Sequence, residues 1–300
     1  MLNNSEPKII TQFRGQSGCR VELIRRDGQL RVRKVATTKV TIERLKLQFK
    51  RMDLFQSLQV VKVPAIYEST DHREFYTYEM EYCNLSTTLA DAVEGLHLYE
   101  LRDIVDFLKA LLEEFEKIPF QGKPQKFEEA NTHKLHSLMH NEDIQRYPGV
   151  IQCLKKIYSD RKNYFEPIAH LERRISHGDL TMENILCDSR GEKWLIDPID
   201  IFFEHPWCDI SKLYQDIEGE WYQIRNHVQH RRASSNLWRL GHVLKSWICE
   251  KYPQYLEYHY YFLGLNFARI LPYAQRDSLR SVVSQKTENY LKLFLNGQSL

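Results

Sequence analysis

The 300-residue chain lacks a long apolar run, and its most apolar late segment, residues 258–273, is interrupted by polar side chains. A membrane-spanning helix needs about 20 predominantly apolar residues, so we expect no membrane span. Residues 1–6 show no basic region followed by an apolar one, and we therefore also expect no secretory signal peptide.

The chain also lacks paired cysteines and a strong charge of either sign. Its six cysteines are scattered without a C-x-x-C pair, which argues against a disulfide framework and favours a reducing cytoplasm. The formal net charge is only +2, without the concentrated basic surface typical of nucleic-acid binding. We expect a cytoplasmic protein that binds no nucleic acid; its oligomeric state is left open.

What the chain does contain is enough apolar sequence for a substantial core. Hydrophobic residues make up 42% and aromatic residues 12%, and this length can form one large or two moderate domains. Residues 101–115 carry apolar side chains at helical spacing, with charged side chains opposite. We expect the middle of the chain, from about residue 86 to residue 174, to be mostly helical.

A group of polar residues between positions 177 and 197 carries the strongest functional pattern. His177 and Asp179 are followed by Asn184 and then by Asp197. In kinase phosphoryl transfer, this H-x-D-x-x-x-x-N pattern supplies an Asp that accepts the substrate hydroxyl proton, while the Asn and a downstream Asp hold Mg²⁺. We predict Asp179 as the catalytic residue and Asn184 and Asp197 as the metal ligands.

The residues between the two predicted ligands favour their convergence. Residues 185–187 and 193–196 are short apolar runs around a polar turn that contains Gly191, which is typical of a β-hairpin. A hairpin returns the chain to its starting point, so Asn184 and Asp197 can reach one ion. Mg²⁺ prefers oxygen ligands and takes one or two carboxylates besides substrate phosphates.

With Gly178 where protein kinases carry arginine, this motif resembles the aminoglycoside and choline phosphotransferase branch of the protein-kinase-like fold. Asp209, in residues 206–213, and the segment 218–221 are similar to those of small kinases associated with capsule or lipopolysaccharide synthesis. The resemblance implies that Asp209 holds the catalytic loop from the following helix, and that His177 holds it through hydrogen bonds.

The resemblance also implies an α+β, two-lobe protein-kinase-like fold with ATP between the lobes. We expect residues 1–82 to form a small antiparallel-sheet lobe that binds the nucleotide. Residues 83–300 would form a larger, mainly helical lobe for catalysis and acceptor binding.

The predicted small lobe contains a loop and a lysine suited to phosphate binding. Gly15, Gln16, Ser17 and Gly18 precede a hairpin whose turn is Asp27-Gly28. Small residues allow backbone N–H groups to approach phosphate oxygens, so we predict a phosphate-covering loop there.

Lys34 stands in the second strand of that hairpin. Strand alternation places it on the inner face with Val32, opposite Arg31 and Arg33. It is similar to the kinase lysine that contacts the α- and β-phosphates.

Two further positions follow from the resemblance. Kinases place an acidic residue on the helix after the lysine strand. Here that position holds Gln48, and the sequence leaves open whether Gln48 or Glu43 is the partner of Lys34. Met80 and Tyr82, at the end of an alternating strand, correspond to the hinge whose backbone faces the adenine.

The leading hypothesis is an ATP- and Mg²⁺-dependent kinase that phosphorylates a hydroxyl of a small molecule, such as a sugar or surface-polysaccharide precursor. No Ala-Pro-Glu segment follows Asp197, which favours a small acceptor over a peptide. Two alternatives stay open. Glu218, Glu220 and Trp221 could supply a pocket for choline, ethanolamine or an aminoglycoside, and Gln48 favours a nucleotide-binding pseudokinase without turnover.

Overall fold

The computed structural model describes residues 7–13, 18–84, 86–227 and 231–300. Two compact units make up the chain: the first runs to Leu89 and includes Asn184–Asp200, and the second comprises Ala90–Glu183 and Ile201–Leu300. The lobe boundary after residue 82 stays a prediction. The segment Asn184–Asp200 lies in the first unit because its strands pair with residues there.

The first unit is built on a five-stranded antiparallel sheet. Its strands are Lys8–Phe13 (β1), Arg20–Arg26 (β2), Gln29–Ala36 (β3), Ile66–Asp71 (β4) and Tyr76–Glu81 (β5). Their order in the sheet is β1-β2-β3-β5-β4. The predicted hairpin turn is confirmed between β2 and β3: Asp27 has a φ of 51° and Gly28 a φ of 79°. Positive φ at both central residues gives the turn the twist of its flanking strands.

One long helix, Lys39–Phe55 (α1), packs on this sheet. Thr38 caps it by accepting a hydrogen bond from the Thr41 amide at 3.3 Å. Leu45, Met52 and Phe55 lie on its buried face, and burial of each such side chain contributes about 1.5–3 kcal/mol. Gln48 is also buried on this face. A buried polar side chain normally has hydrogen-bond partners.

A second, three-stranded sheet of the first unit contains Thr87–Thr88 (β6), Ile185–Cys187 (β7) and Lys193–Leu195 (β8). The predicted β7–β8 hairpin is confirmed by the antiparallel pairing of Ile185 with Leu195. Its turn is held by Asp188, whose Oδ1 accepts from the amides of Arg190 at 2.8 Å and Glu192 at 3.0 Å. The hairpin therefore returns the chain to the level of Asn184.

The second unit is helical. Its helices, the first of which begins at the boundary, are Leu89–Ala92 (α2), Leu98–Lys117 (α3), Phe127–Met139 (α4), Glu142–Gln145 (α5), Pro148–Ser159 (α6), Arg161–Phe165 (α7), Pro206–Ile217 (α8), Trp221–Asn226 (α9), Arg231–Lys251 (α10), Tyr255–Ile270 (α11) and Asp277–Leu295 (α12). All 12 residues of α8 are buried, because α3, α10 and α11 pack around it. Among the residues that the structure describes, no helix is long and apolar enough to cross a membrane.

Helix α8 begins after a buried histidine, His205, which is 5% exposed. Its Nδ1 accepts from the Trp207 amide at 3.3 Å and so caps the helix. Burial, together with the smaller effect of the positive charges of Arg174 and His170, lowers the pKa of His205 to about 3. Because the unfolded chain binds a proton that the folded chain does not, this residue makes stability fall as the pH decreases from about 6.5 towards 3.

We predict that His205→Asn reduces the loss of stability in acid, since asparagine also caps helices but does not protonate. Between pH 7 and pH 5 this histidine should cost the wild type about 2 kcal/mol of unfolding free energy. Urea unfolding at both pH values measures the difference, with His242→Asn, at an exposed histidine, as the control. Asp216, whose pKa burial raises to about 7, titrates in all three proteins and cancels. An equal pH dependence in wild type and His205→Asn would contradict the prediction.

Candidate active site

The predicted catalytic loop is held by a buried carboxylate on α8. Asp209 is fully buried, and its two oxygens accept from the backbone amides of His177 at 2.6 Å and Gly178 at 2.8 Å. Gly178 has a φ of 83°, a conformation that glycine adopts without the steric cost of a side chain. Asp209 therefore fixes the backbone immediately before Asp179, as the resemblance implied.

His177 adds a second constraint on the same loop. Its buried imidazole accepts, through Nδ1, from the Asp179 amide at 3.3 Å. The backbone amides of His177, Gly178 and Asp179 are thus each held by a hydrogen bond within the second unit. The expectation that His177 and Asp209 hold this loop is confirmed.

The side chain of Asp179 forms an ion pair that sequence reasoning missed. Lys212 Nζ lies 3.0 Å from Asp179 Oδ1, and the lysine is buried whereas the carboxylate is 32% exposed. Burial alone raises the pKa of Asp179, but Lys212, Arg269 and His177 together lower it below its ordinary value. Asp179 is therefore a carboxylate at neutral pH.

Burial also shifts the pKa of Lys212, in the opposite direction from its effect on the pKa of Asp179. It lowers the pKa of the Lys212 ammonium; Asp179 raises that pKa, and Arg269 lowers it again, so the pKa stays below its ordinary value. The Lys212 ammonium also donates to Gln215 Oε1 at 3.0 Å.

A third residue of α8, Asp216, holds the far side of the loop. It accepts from the amides of Met182 at 2.8 Å and Tyr222 at 3.3 Å. Asp209, Lys212 and Asp216 stand at i, i+3 and i+7, one face of a helix. That spacing was available in the sequence and would have indicated that α8 faces the loop with three ionisable side chains.

In the first unit, Lys34 lies at the centre of a polar cluster. It is 4% exposed, forms an ion pair with Asp197 and donates to Gln48 Oε1 at 3.0 Å. The predicted inner face of β3 is confirmed, because Val32 and Lys34 are buried whereas Arg31 and Arg33 are partly exposed.

The structure answers which residue of α1 reaches Lys34. Gln48 does so, and Glu43 is exposed. Gln48 Oε1 also accepts from the Tyr78 hydroxyl at 3.0 Å, while its Nε2 donates to the Pro198 carbonyl at 3.2 Å. A glutamate would lose this donor and place a carboxylate oxygen against a carbonyl oxygen. The amide therefore suits a position that must both accept and donate.

Asn184 and Asp197 flank the β7–β8 hairpin within the first unit. The Ile196 amide donates to the Asn184 carbonyl at 3.0 Å, so the backbones at the two predicted ligands are adjacent. Asp197 has a φ of 59°, and its side chain is 40% exposed. A non-glycine residue at positive φ is uncommon and is best tolerated by Asp and Asn. The side chains supply an amide oxygen and a carboxylate, which are ligand types that Mg²⁺ accepts.

Of the remaining residues predicted to bind the nucleotide, Gly18, Met80 and Tyr82 lie within the described structure. Gly15, Gln16 and Ser17 lie outside the described residues. Gly18 has a φ of 75°, and a Cβ added there would lie 3.3 Å from Thr41 Cγ2. Met80 lies within β5, where it pairs with Val32, and Tyr82 comes directly after the strand.

Comparison with known proteins agrees with this arrangement. Residues 10–241 match the family model described as the phosphotransferase enzyme family. No curated protein matches the chain.

Two solved structures share the fold over nearly the whole chain. A Haemophilus somnus 129PT protein assigned as a fructosamine-3-kinase is 14% identical, with a TM-score of 0.60 over 96% of this chain and 92% of that one. Plasmodium vivax ethanolamine kinase is 11% identical, with a TM-score of 0.56 over 97% of this chain and 83% of that one. At these identities the similarity concerns the fold, and the predicted kinase-like α+β fold is confirmed.

Proposed function

This chain belongs to the phosphotransferase enzyme family, and on that premise we propose that it uses ATP and Mg²⁺ to phosphorylate a hydroxyl of a sugar or surface-polysaccharide precursor. Family membership makes it a kinase with a hydroxyl acceptor. The nucleotide, the metal ion, the sugar acceptor and the association with capsule or lipopolysaccharide synthesis are our proposals.

The observation that carries the proposal is the fixed, ionised state of Asp179. His177 and Asp209 hold its backbone, and Lys212 keeps its side chain a carboxylate. A carboxylate in this loop can accept a hydrogen bond from the acceptor hydroxyl, orient its oxygen and take its proton as transfer proceeds.

The residues of the first unit fit a magnesium nucleotide. Asn184 and Asp197 offer two oxygen ligands, and Lys34 offers a buried ammonium for the phosphates. A bound Mg²⁺ neutralises charge that develops on the phosphate oxygens. Nucleotide binding would replace the contact between Lys34 and Asp197 with contacts between Lys34 and the nucleotide. Gln48 would hold the Lys34 ammonium in place during this exchange.

Two residues that were candidates for a cationic-acceptor pocket are engaged elsewhere. Trp221 is buried and packs edge-to-face on Phe267, with ring centroids 6.4 Å apart. Glu218 Oε2 lies 3.0 Å from Nε2 of the buried His259. An acceptor such as choline needs exposed aromatic or acidic groups, so this packing supports a sugar acceptor over the alternative.

We predict Mg²⁺-dependent release of ADP when ATP is supplied with a panel of neutral and acidic sugars, and none with amino alcohols or aminoglycosides. A kcat of about 1–100 s⁻¹ on the true acceptor is typical of kinases. Thermal unfolding with ATP, with and without Mg²⁺, reports nucleotide binding independently of the acceptor. Turnover confined to choline, ethanolamine or aminoglycosides would establish the alternative acceptor class, and absence of an ATP-induced thermal shift would contradict nucleotide binding.

A further inference from the structure

Helix α10 of the second unit carries a continuous exposed stripe that consists of Arg231, Trp238, His242 and Lys245. These residues follow one another at intervals of seven, four and three positions, which places them in one line along a helix. Arg231, Trp238 and His242 are exposed and Lys245 is partly exposed. The opposite side of α10 is buried against α3, α8 and α11. With a rise of about 1.5 Å per residue, the stripe is roughly 20 Å long.

The aromatic member of the stripe is uncovered. Trp238 is 69% exposed, whereas the other four tryptophans of the chain are buried or partly buried. Its ring stacks on His242, with centroids 5.5 Å apart and planes at 11°, but most of its surface still faces water. One exposed aromatic side chain is ordinary by itself. Its significance here comes from the charges that surround it.

The charges around Trp238 are of one sign. Residues 221–249 contain five Arg or Lys and no Asp or Glu, a local excess that the net charge of +2 for the whole chain averages out. Arg231, Arg239 and Lys245 form neither an ion pair nor a side-chain hydrogen bond within the part of the chain that the structure describes. Arg239 is exposed beside Trp238. Three cations near the ring are therefore left for an external anion.

The carboxylates of the helices that pack on α10 do not neutralise the stripe. Glu113 and Glu116 of α3 lie 4.0 Å and 3.0 Å from the Nζ of Lys251, the last residue of α10. These are the ion pairs that α10 forms with the described residues. Asp209 and Asp216 of α8 accept from backbone amides of the predicted catalytic loop. The positive charge of the stripe is thus not balanced by its neighbours.

We propose that the exposed stripe of α10 binds the surface of a bilayer that contains anionic phospholipids. Arg231, Arg239 and Lys245 would lie among the lipid phosphates, and the Trp238 ring would enter the boundary between headgroups and acyl chains. Basic residues on an amphipathic helix are attracted to anionic lipids. Tryptophan is enriched at membrane interfaces because its ring is apolar and its N–H is polar. The proposal does not depend on the proposed function.

The shape of the stripe favours a bilayer over an acidic protein. A stable protein–protein interface buries about 1,200–2,000 Å² around several anchoring side chains. The large apolar side chains that α10 exposes are Trp238 and Val243, and their separation of five positions turns them about 140° apart around the helix. They therefore do not form one patch. A fluid interface needs no matching pocket and accepts a single ring.

Co-sedimentation of the full chain with vesicles tests the proposal. We expect binding to vesicles of equal parts phosphatidylcholine and phosphatidylglycerol, but not to phosphatidylcholine alone. Binding should weaken at about 1 M salt, where the Debye length falls to roughly 3 Å. Trp238→Ala should lower the partition coefficient about 10-fold, as expected for one large apolar side chain. The double variant Arg231→Gln, Lys245→Gln should lower it about 30-fold, at roughly fivefold for each cation.

Two variants of the second unit serve as matched controls. Tyr273→Ala removes an aromatic side chain that is 72% exposed and lies outside α10. The double variant Lys155→Gln, Lys162→Gln removes two exposed cations of α6 and α7. Both should bind anionic vesicles nearly as the wild type does. Unfolding temperatures equal to that of the wild type show that every variant is folded.

Tryptophan fluorescence gives a second measurement that concerns Trp238 directly. Because Trp238 is the most exposed of the five tryptophans, anionic vesicles should shift the emission of the wild type to shorter wavelength and protect it from acrylamide quenching. Trp238→Phe should show neither change, although it still sediments with the vesicles.

Four results would overturn the proposal: no binding to anionic vesicles, equal binding to both kinds of vesicle, wild-type binding by Trp238→Ala, or equal losses in the control variants. Binding of poly-L-glutamate or of an oligonucleotide that depends on Arg231 and Lys245, without binding to vesicles, would assign the stripe to an acidic macromolecule and would also overturn it. None of these measurements uses phosphate transfer, so their failure would leave the proposed function unaffected.

Discussion

Asp179→Asn is expected to lower kcat by about 10²–10⁴-fold, the range typical of a lost general acid–base group. Asparagine has nearly the same size, so the hydrogen bonds that His177 and Asp209 accept from the backbone amides of Asp179 and Gly178 are retained. It has no negative charge, however, and cannot accept the hydroxyl proton. Steady-state kinetics on the true acceptor measure the loss. Nucleotide affinity should be nearly unchanged, because we propose that Lys34, Asn184 and Asp197 hold the nucleotide and its metal.

The design of this experiment includes a control for charge and one for folding. Asp103→Asn, at an exposed position of α3, makes the same chemical change away from the loop and should retain wild-type kcat. The unfolding temperature of Asp179→Asn shows whether Lys212 tolerates the loss of its partner. Full kcat in Asp179→Asn would exclude Asp179 as the base, and loss of ATP binding would place it among the nucleotide ligands. A pseudokinase would show no turnover in either protein.

The parts of the fold that the sequence predicted correctly depend on local patterns. Asp27-Gly28 between alternating strands specifies a two-residue turn wherever it occurs. The alternation of Val32 and Lys34 with their arginine neighbours places the lysine on the inner face for the same local reason. The hairpin after Asn184 follows from two short apolar runs and their turn.

The parts that were not predicted depend on contacts between residues distant in the sequence. Lys212 is 33 positions from Asp179, and only the packing of α8 against the loop brings them together. The carbonyl that Gln48 binds belongs to Pro198, 150 positions away. A single sequence shows that Gln48 departs from an acidic residue, but it does not show the acceptor that makes an amide the suitable group.

The pairing of Asp209 with the predicted catalytic loop lies between these two cases. Its role came from the resemblance and not from a local pattern, and the structure supplies its physical basis in two backbone hydrogen bonds. Helical spacing then extends the same face to Lys212 and Asp216. A known contact at one position of a helix thus predicts which neighbours, three and seven residues on, lie near the same site.

Asp197→Asn is expected to remove phosphate transfer together with the Mg²⁺-dependent part of nucleotide binding. Asp197 is the only carboxylate that we propose as a ligand, and an amide oxygen replaces its charge poorly on a hard dication. Asparagine tolerates the positive φ of 59° at this position, so the backbone should be preserved. Loss of activity can then be attributed to the missing charge.

Thermal unfolding in four conditions tests this without an acceptor: no ligand, Mg²⁺ alone, ATP alone, and both. Ligand at about 100 times its Kd adds roughly 2.7 kcal/mol of stability. The wild type should therefore gain more from both together than from ATP alone, whereas Asp197→Asn should show no such gain. Asp200→Asn is the matched control, since Asp200 lies three residues later, is 49% exposed and pairs only weakly with Arg51 at 3.5 Å.

The outcomes separate the metal role of Asp197 from its ion pair with Lys34. If Asp197→Asn fails to bind ATP in the absence of Mg²⁺, the ion pair between Asp197 and Lys34 is needed to position the lysine for the phosphates. Asp197 would then act on ATP binding through Lys34. Asp197→Gly, which removes the side chain but suits the same backbone conformation, should match Asp197→Asn if ligation alone matters. Wild-type turnover, or a retained Mg²⁺-dependent shift, in both variants would show that the ion is held elsewhere and would remove Asp197 from the proposed metal site.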